Sequence, residues 1–173
     1  EDALTTAVRH CMDSDVPIGC FLSGGIDSSL VAALMQSQTS EKIRTFSIGF
    51  AESEYDESRK AASVASRLNT NHTMMRVTAR DAINTIPLMP TVFDEPFADA
   101  SQIPTYILSQ LTRHSVKVAL SGDGGDELFC GYSRYLWAGK IAKLLNCPSG
   151  LRKLLSFSLM LAPPKFLNQL NKT

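Results

Sequence analysis

Short apolar runs alternate along this chain with longer stretches in which apolar residues recur every three or four positions. Residues 2–12 place Leu4, Ala7, Val8 and Cys11 at helical spacing, and Asp13 to Pro17 end that helix. Val16 to Leu22 is a short apolar run that stops at Ser23-Gly24-Gly25. A helix follows from Asp27 to Gln36, with Leu30, Val31 and Leu34 on its inner face. Ile43 to Phe50 reads as a second strand. Tyr55 to Leu68 reads as a helix that buries Ala61, Ala62, Val64, Ala65 and Leu68, with Ser53 and Asp56 as a capping pair at its start. His72 to Val77 is a third strand and Ala79 to Ile86 a short helix. Pro87, Pro90 and Pro96 predict a long irregular connection, after which 103–114 is helical and Val116 to Leu120 is a fourth strand. A helical tail begins near Asp126.

The strands are short and apolar and do not alternate with polar residues, so both of their faces must be covered. Strand and helix also take turns. Together these features predict an α/β domain with a parallel sheet and helices on both faces. The core is expected to span 1–135. Residues 136–173, apolar and basic with Pro148, Pro163 and Pro164, read as a helical continuation of the same, truncated domain that needs a partner surface. Both ends read as cut from a longer chain, since the sequence opens Glu-Asp-Ala-Leu and closes on a polar tail.

Composition narrows the classes. At 173 residues and 44% hydrophobic content the chain can bury a core of ordinary size. Lys plus Arg and Asp plus Glu balance at 17 each, which gives no electrostatic reason to expect nucleic acid or an anionic membrane as partner. No apolar run is long enough to span a bilayer and no signal peptide is visible, so the chain reads as cytoplasmic. Cys11, Cys20, Cys130 and Cys147 form no C-x-x-C pair and are expected to be buried, reduced thiols rather than zinc ligands. His10, His72 and His114 are scattered, which suits surface or packing roles.

Two glycine-rich loops carry the chemistry, each directly after an apolar strand. The first is Ser23-Gly24-Gly25-Ile26-Asp27-Ser28-Ser29. Its glycines let backbone N–H groups face a phosphate, the following helix adds its positive end, and three serines add hydroxyl donors. Asp27 would repel phosphate unless it holds a magnesium ion bridging to it. The Gly-Lys-Ser/Thr ending of a Walker A loop is absent. The second loop is Ser121-Gly122-Asp123-Gly124-Gly125-Asp126-Glu127. Either loop alone also reads as a tight turn capped by Asp or Ser. Two such loops, each at a strand end with an acid, suit a magnesium–polyphosphate held between them.

Ser23-Gly24-Gly25-Ile26-Asp27-Ser28 resembles the SGGxDS signature of the PP-loop ATP pyrophosphatases. Those enzymes cleave ATP between the α and β phosphates and attach AMP to a substrate oxygen. VPIGCFLSGGIDSSLVAALM, TFSIGF, YDESRKAASVA, FDEPFADASQIPTY and LSGDGGDELFCGYSRY, in this order, are similar to the synthetase domain of glutamine-hydrolysing asparagine synthetases. The likeness runs from Glu1 to Tyr135 and implies a Rossmann-like fold of the HUP, adenine nucleotide alpha hydrolase-like kind. Cys130 stands where such sequences usually have Gly.

The resemblance implies ATP-dependent conversion of aspartate to asparagine through β-aspartyl-AMP. It implies Mg2+ as cofactor and ammonia drawn from glutamine by an N-terminal glutaminase domain that this sequence lacks. It also allows a homodimer of the parent chain. Carried onto this sequence, Ser23, Gly24, Gly25, Asp27, Ser28 and Ser29 would cradle the pyrophosphate, and Asp27 and Asp126 would hold magnesium. Phe21 or Leu22, with Ile48 and Gly49, would meet the adenine through backbone groups. Ser121 and Gly122 would lie against AMP. Asp123, where some relatives have Glu, and Asp126 are the catalytic candidates, while Glu127 is expected to brace the next helix. The acidic, proline-broken stretch Phe93 to Ser101 is expected to be a lid or aspartate-binding loop rather than a solvated connection. The family's nucleophilic Cys has no counterpart in Cys11 or Cys20, and its catalytic Lys has none among Lys140, Lys143, Lys153 and Lys165. Nucleotide binding without full synthesis is therefore expected of this chain. Three alternatives stay open: another carboxylate-activating amidotransferase, β-lactam synthetase-like or peptide-modifying; a tRNA-acting relative, which the neutral charge disfavours; and a nucleotide-binding module without activity of its own.

Overall fold

The computed structural model describes residues 1–50, 56–96, 98–146, 148–150, 152–153 and 156–157. These form two compact units that divide between Gly124 and Gly125. The first contains α1 (Asp2–Met12), β1 (Ile18–Phe21), α2 (Ile26–Ser37), β2 (Arg44–Phe50), α3 (Ser58–Leu68), β3 (Asn71–Val77), α4 (Ala79–Thr85), a 3-10 turn (Ile86–Leu88), α5 (Met89–Val92), α6 (Gln102–Thr112) and β4 (Val118–Leu120). The second contains α7 (Gly125–Phe129) and α8 (Ser133–Leu145).

Among the described residues the sheet has four strands in the order β3-β2-β1-β4, and every pairing is parallel. Cys20 pairs with both Thr45 and Leu120, so β1 is flanked on each side. The chain winds one way through β1, β2 and β3, then returns to place β4 on the other side of β1. That reversal puts a crevice between the carboxyl ends of β1 and β4.

Alternation along β1 and β2 sorts the two faces. Cys20 and Leu22 join Val8, Ala32, Met35, Ile43, Ala61 and Ala65 in one core beneath α1, α2 and α3. Burial there pushes the Cys20 thiol up to about 12, so it acts as a small hydrophobe. Phe46, which is fully buried, crowds Gly19 on the opposite face, and a Cβ on Gly19 would meet its ring at 2.6 Å. Phe50 lies on that face too and lines a cavity together with Ile103, Pro104 and Ile107 of α6. Helices thus cover both faces.

Several details differ from the sequence pattern. In α2, Val31 and Leu34 pack against the core as expected, but the fully buried positions are Ser28, Ala32 and Met35 and Leu30 is 40% exposed, because the stripe is set by where β1 delivers the chain and not by residue size. In α3, Ala61 and Ala65 are buried but Ala62 is exposed, one residue being enough to turn the methyl away. Cys11 and Cys130 are exposed, against the expectation of buried thiols, while Cys147 lies outside the described residues. Pro87 and Pro90 do not break the chain. Each sits in the first turn of a short helical segment, where a missing N–H removes no intrahelical bond. Among the described residues the irregular connection therefore shrinks to 93–96 and 98–101. The helix expected from Tyr55 begins at Ser58, and Ser53 and Tyr55 lie outside the described residues, as do residues 158–173 of the tail. Asp56 does brace that helix. Its carboxylate accepts the Ser58 N–H at 3.1 Å and the Phe50 amide, and the Ser58 bonds above all hold its pKa below the usual range.

Candidate functional site

β1 ends early, and this creates the site. Phe21 pairs with Phe46, and Leu22 adds one more ladder bond by donating its N–H to the Phe46 carbonyl at 2.8 Å. The chain then leaves the sheet at Ser23 and re-enters regular structure as α2. Leu22 is buried, so its side chain belongs to the core and its carbonyl is what remains for a ligand. β2 continues to Phe50, and so Ile48 and Gly49 stand beyond the end of β1 on the same rim.

The first loop is held by its own hydroxyls. Ser23 Oγ and Ser28 Oγ lie 2.9 Å apart, the Ser23 N–H donates to Ser28 Oγ at 3.2 Å, and the Gly25 N–H donates to Ser23 Oγ at 3.1 Å. No side chain caps α2, whose first N–H groups therefore have no intrahelical partner. Ser29 Oγ is buried with no hydrogen-bond partner among the described residues. An orphaned hydroxyl of this kind is costly in a fold and calls for a ligand group.

Glycine is required at Gly24 on two counts. Its φ is +81°, and a Cβ there would lie 2.6 Å from the Ala61 amide nitrogen and from Lys60 Cβ. The start of α3 is thus the third wall of the loop. It also closes on Gly49, where an added Cβ would meet Ser58 Cβ at 2.9 Å. The sequence pattern did not point to Lys60, Ala61 and Ser58 as neighbours of the site. The only available signal was the bare fact of glycine at 24 and 49.

The second loop reaches the first. A Cβ on Gly122 would lie 2.7 Å from the Ser28 amide nitrogen and 3.1 Å from Asp27 Cβ. The turns at 23–29 and 121–124 are therefore in contact on one rim. Ser121 Oγ donates to the Asp123 carboxylate at 3.0 Å and accepts the Asp123 N–H at 3.3 Å, which fixes this acid at the loop's tip. Asp126 belongs to the second unit, where its carbonyl accepts the Gly131 N–H at 2.9 Å. In the same unit Tyr132 donates to Glu127 at 2.6 Å, which lowers the carboxyl's pKa and raises the phenol to about 12. Glu127 thus braces the turn that leads into α8.

Among the described residues, no three or more His, Cys, Asp or Glu side chains gather to hold a metal. One half-buried carboxylate on a phosphate-type loop suits magnesium, which keeps water and substrate oxygens around it rather than an all-protein cage. In the stretch 93–101, the Asp99 carboxylate accepts the Ser101 N–H at 2.8 Å and helps start α6. Met89, Pro90, Phe93, Asp94, Glu95, Pro96 and Gln102 line a cavity of about 400 Å³ beside it.

A parallel sheet with a switch point beside two glycine loops defines the Rossmann-like, PP-loop class, and solved structures agree on the fold. NMN synthetase from Francisella tularensis superposes with a TM-score of 0.52 at 16% identity, covering 76% of this chain and 56% of that one. Glutamine-dependent NAD+ synthetase from Acinetobacter baumannii, solved with ADP, gives 0.52 at 24%, covering 75% and 26%. Within that class the chain belongs to the asparagine synthase family, whose profile matches residues 1–170. It is 37% identical over 154 residues to asparagine synthetase (glutamine-hydrolysing) 1 of Bacillus subtilis, covering 89% of this chain and 24% of that protein. It is 43% identical over 150 residues to a Methanocaldococcus jannaschii protein provisionally named a glutamine-hydrolysing asparagine synthetase, covering 86% and 29%. The chain thus spans about a quarter of these relatives' length. No helix among the described residues is long and apolar enough to cross a membrane.

Proposed function

We propose that this chain binds ATP and activates the side-chain carboxylate of aspartate as an acyl-adenylate, the first half of asparagine synthesis. The observation that carries the reading is Gly122 seated against Ser28 and Asp27, which joins two strand-end loops into one anion-binding crevice. Aspartate's carboxylate would attack the α-phosphorus, pyrophosphate would leave, and ammonia would then displace AMP. Ammonia would come from glutamine through a glutaminase domain of the parent chain.

In this reading the exposed α2 amides, Ser23, Ser28 and Ser29 bind the departing pyrophosphate. Their dipoles are fixed before reaction, so stabilising the developing charge costs no reorganisation. Gly24 lets the loop close against the α3 backbone, and Gly25 would leave the approach to the first α2 amides free of a Cβ. Asp27 would hold magnesium, whose charge would offset that of the phosphates. Phe21, the Leu22 carbonyl, Ile48 and Gly49 would contact adenine, while Ser121 and Gly122 would lie along AMP. Asp123, its carboxylate held by Ser121, would face the adenylate.

The test is calorimetric titration of the chain with ATP and magnesium, followed by an assay of AMP formation with aspartate and with a panel of other carboxylic acids. Micromolar MgATP binding that Asp27→Ala abolishes is the expected result. A chain that binds no MgATP would refute the nucleotide site. AMP formation with another acid but not with aspartate would move the reading to a different amidotransferase.

A further inference from the structure

The phosphate crevice has a charge deficit. Ser23–Ser29 contains no lysine or arginine and carries Asp27, and Ser121–Gly124 contains none and carries Asp123. Backbone dipoles and one divalent ion would have to balance a polyphosphate together with two carboxylates. A cation stands at the edge of this crevice on an element outside both loops. Lys60 lies in the first turn of α3, and its Cβ would be 2.6 Å from a Cβ on Gly24, the tightest point of the first loop.

We propose that Lys60 is a further ligand of the polyphosphate, reaching from α3 over Gly24 to the β- and γ-phosphate oxygens. This rests on the nucleotide reading above and adds a residue to it. The stem starts beside Gly24 in the first loop, and a lysine ammonium is a compact point charge on a flexible chain that can follow a departing group. Lys60 is free to move. Its side chain is 70% exposed, and its ammonium is 3.9 Å from Glu57, the long limit of an ion pair one turn back. Exposed pairs at that spacing contribute little to the fold, so the lysine has no strong structural duty to abandon. The backbone of α3 is pinned meanwhile by Gly24, Gly49 and Asp56, which fixes the base of the stem.

The experiment is calorimetry of the 173-residue chain with magnesium pyrophosphate, MgATP and AMP, for the unaltered protein, Lys60→Gln, Lys60→Arg and the charge-matched control Arg67→Gln at the far end of α3. Lys60→Gln should weaken pyrophosphate and MgATP by about tenfold, the loss of one charge-assisted contact. It should leave AMP within twofold and the melting temperature unchanged. Lys60→Arg should recover most of the loss, and Arg67→Gln should bind as the unaltered chain does. Equal pyrophosphate affinity in Lys60→Gln and the unaltered chain would overturn the lysine's role alone. An equal loss for AMP would also overturn it, since that marks a general distortion. An unaltered chain that binds none of the three ligands overturns the nucleotide site and this proposal with it.

Discussion

Gly24 and Gly124 adopt nearly the same backbone angle, with φ of +81° and +88°, in the two loops of one crevice. Their surroundings differ. Gly24 is pressed against the α3 backbone, whereas among the described residues nothing lies within 4 Å of a Cβ on Gly124. The first loop is thus walled by a helix and locked by Ser23 and Ser28, while the second is an open turn tied down at Ser121–Asp123 and Gly122. A glycine-rich motif can therefore be needed for conformation alone or for close approach as well, and the two needs separate in experiment.

The largest expected effect is at Gly24. Gly24→Ala should lose about 3 kcal/mol, combining left-handed strain with overpacking against backbone that cannot yield. Gly124→Ala should lose about 1 kcal/mol, from strain alone. Denaturant titration of both variants checks this, and equal losses would break the comparison. Next comes Gly122→Ala, whose φ is ordinary but whose Cβ collides with the Ser28 amide. It should push the loops apart and weaken MgATP by about tenfold or more at a stability cost smaller than that of Gly24→Ala. Unchanged affinity would mean that the contact between the loops is incidental to binding.

A smaller effect falls in the second unit. Cys130 sits at φ +59°, a left-handed position that favours glycine. Relief of about 1 kcal/mol of strain, partly offset by the greater freedom of glycine in the unfolded chain, should leave Cys130→Gly more stable by about 0.5 kcal/mol. Chemical denaturation followed at Trp137 would measure it.

The smallest effect concerns His72, whose ring nitrogens lie 3.0 Å from Thr45 Oγ1 and 3.1 Å from Ser47 Oγ across the β2–β3 pairing, near where α3 ends. Burial lowers its pKa, opposed in part by a hydrogen bond with the Thr45 backbone. The unfolded chain then binds the proton more readily. The stabilising contribution is full above the unfolded value near 6.5 and is lost as pH falls through the lower folded value. The denaturation midpoint should fall on acidification below that pH, and His72→Gln should flatten the fall. The carboxylates Asp56, Asp81 and Asp99 also have lowered pKa values, but they act in a more acidic window.

What the sequence determined by itself was local. Period and punctuation located all four strands and the main helices to within about three residues, because apolar spacing, Gly and Pro act over one or two turns. The glycine loops were legible for the same reason, each being a contiguous run after a strand. Only the tertiary structure decided which residues those loops touch. That Ala62 faces water while Ala61 is buried, that Leu30 yields the inner stripe to Ser28, and that Lys60 and Gly122 converge on the first loop all depend on how elements far apart in the chain are rotated and stacked. Packing between distant segments leaves no periodic trace in either segment alone.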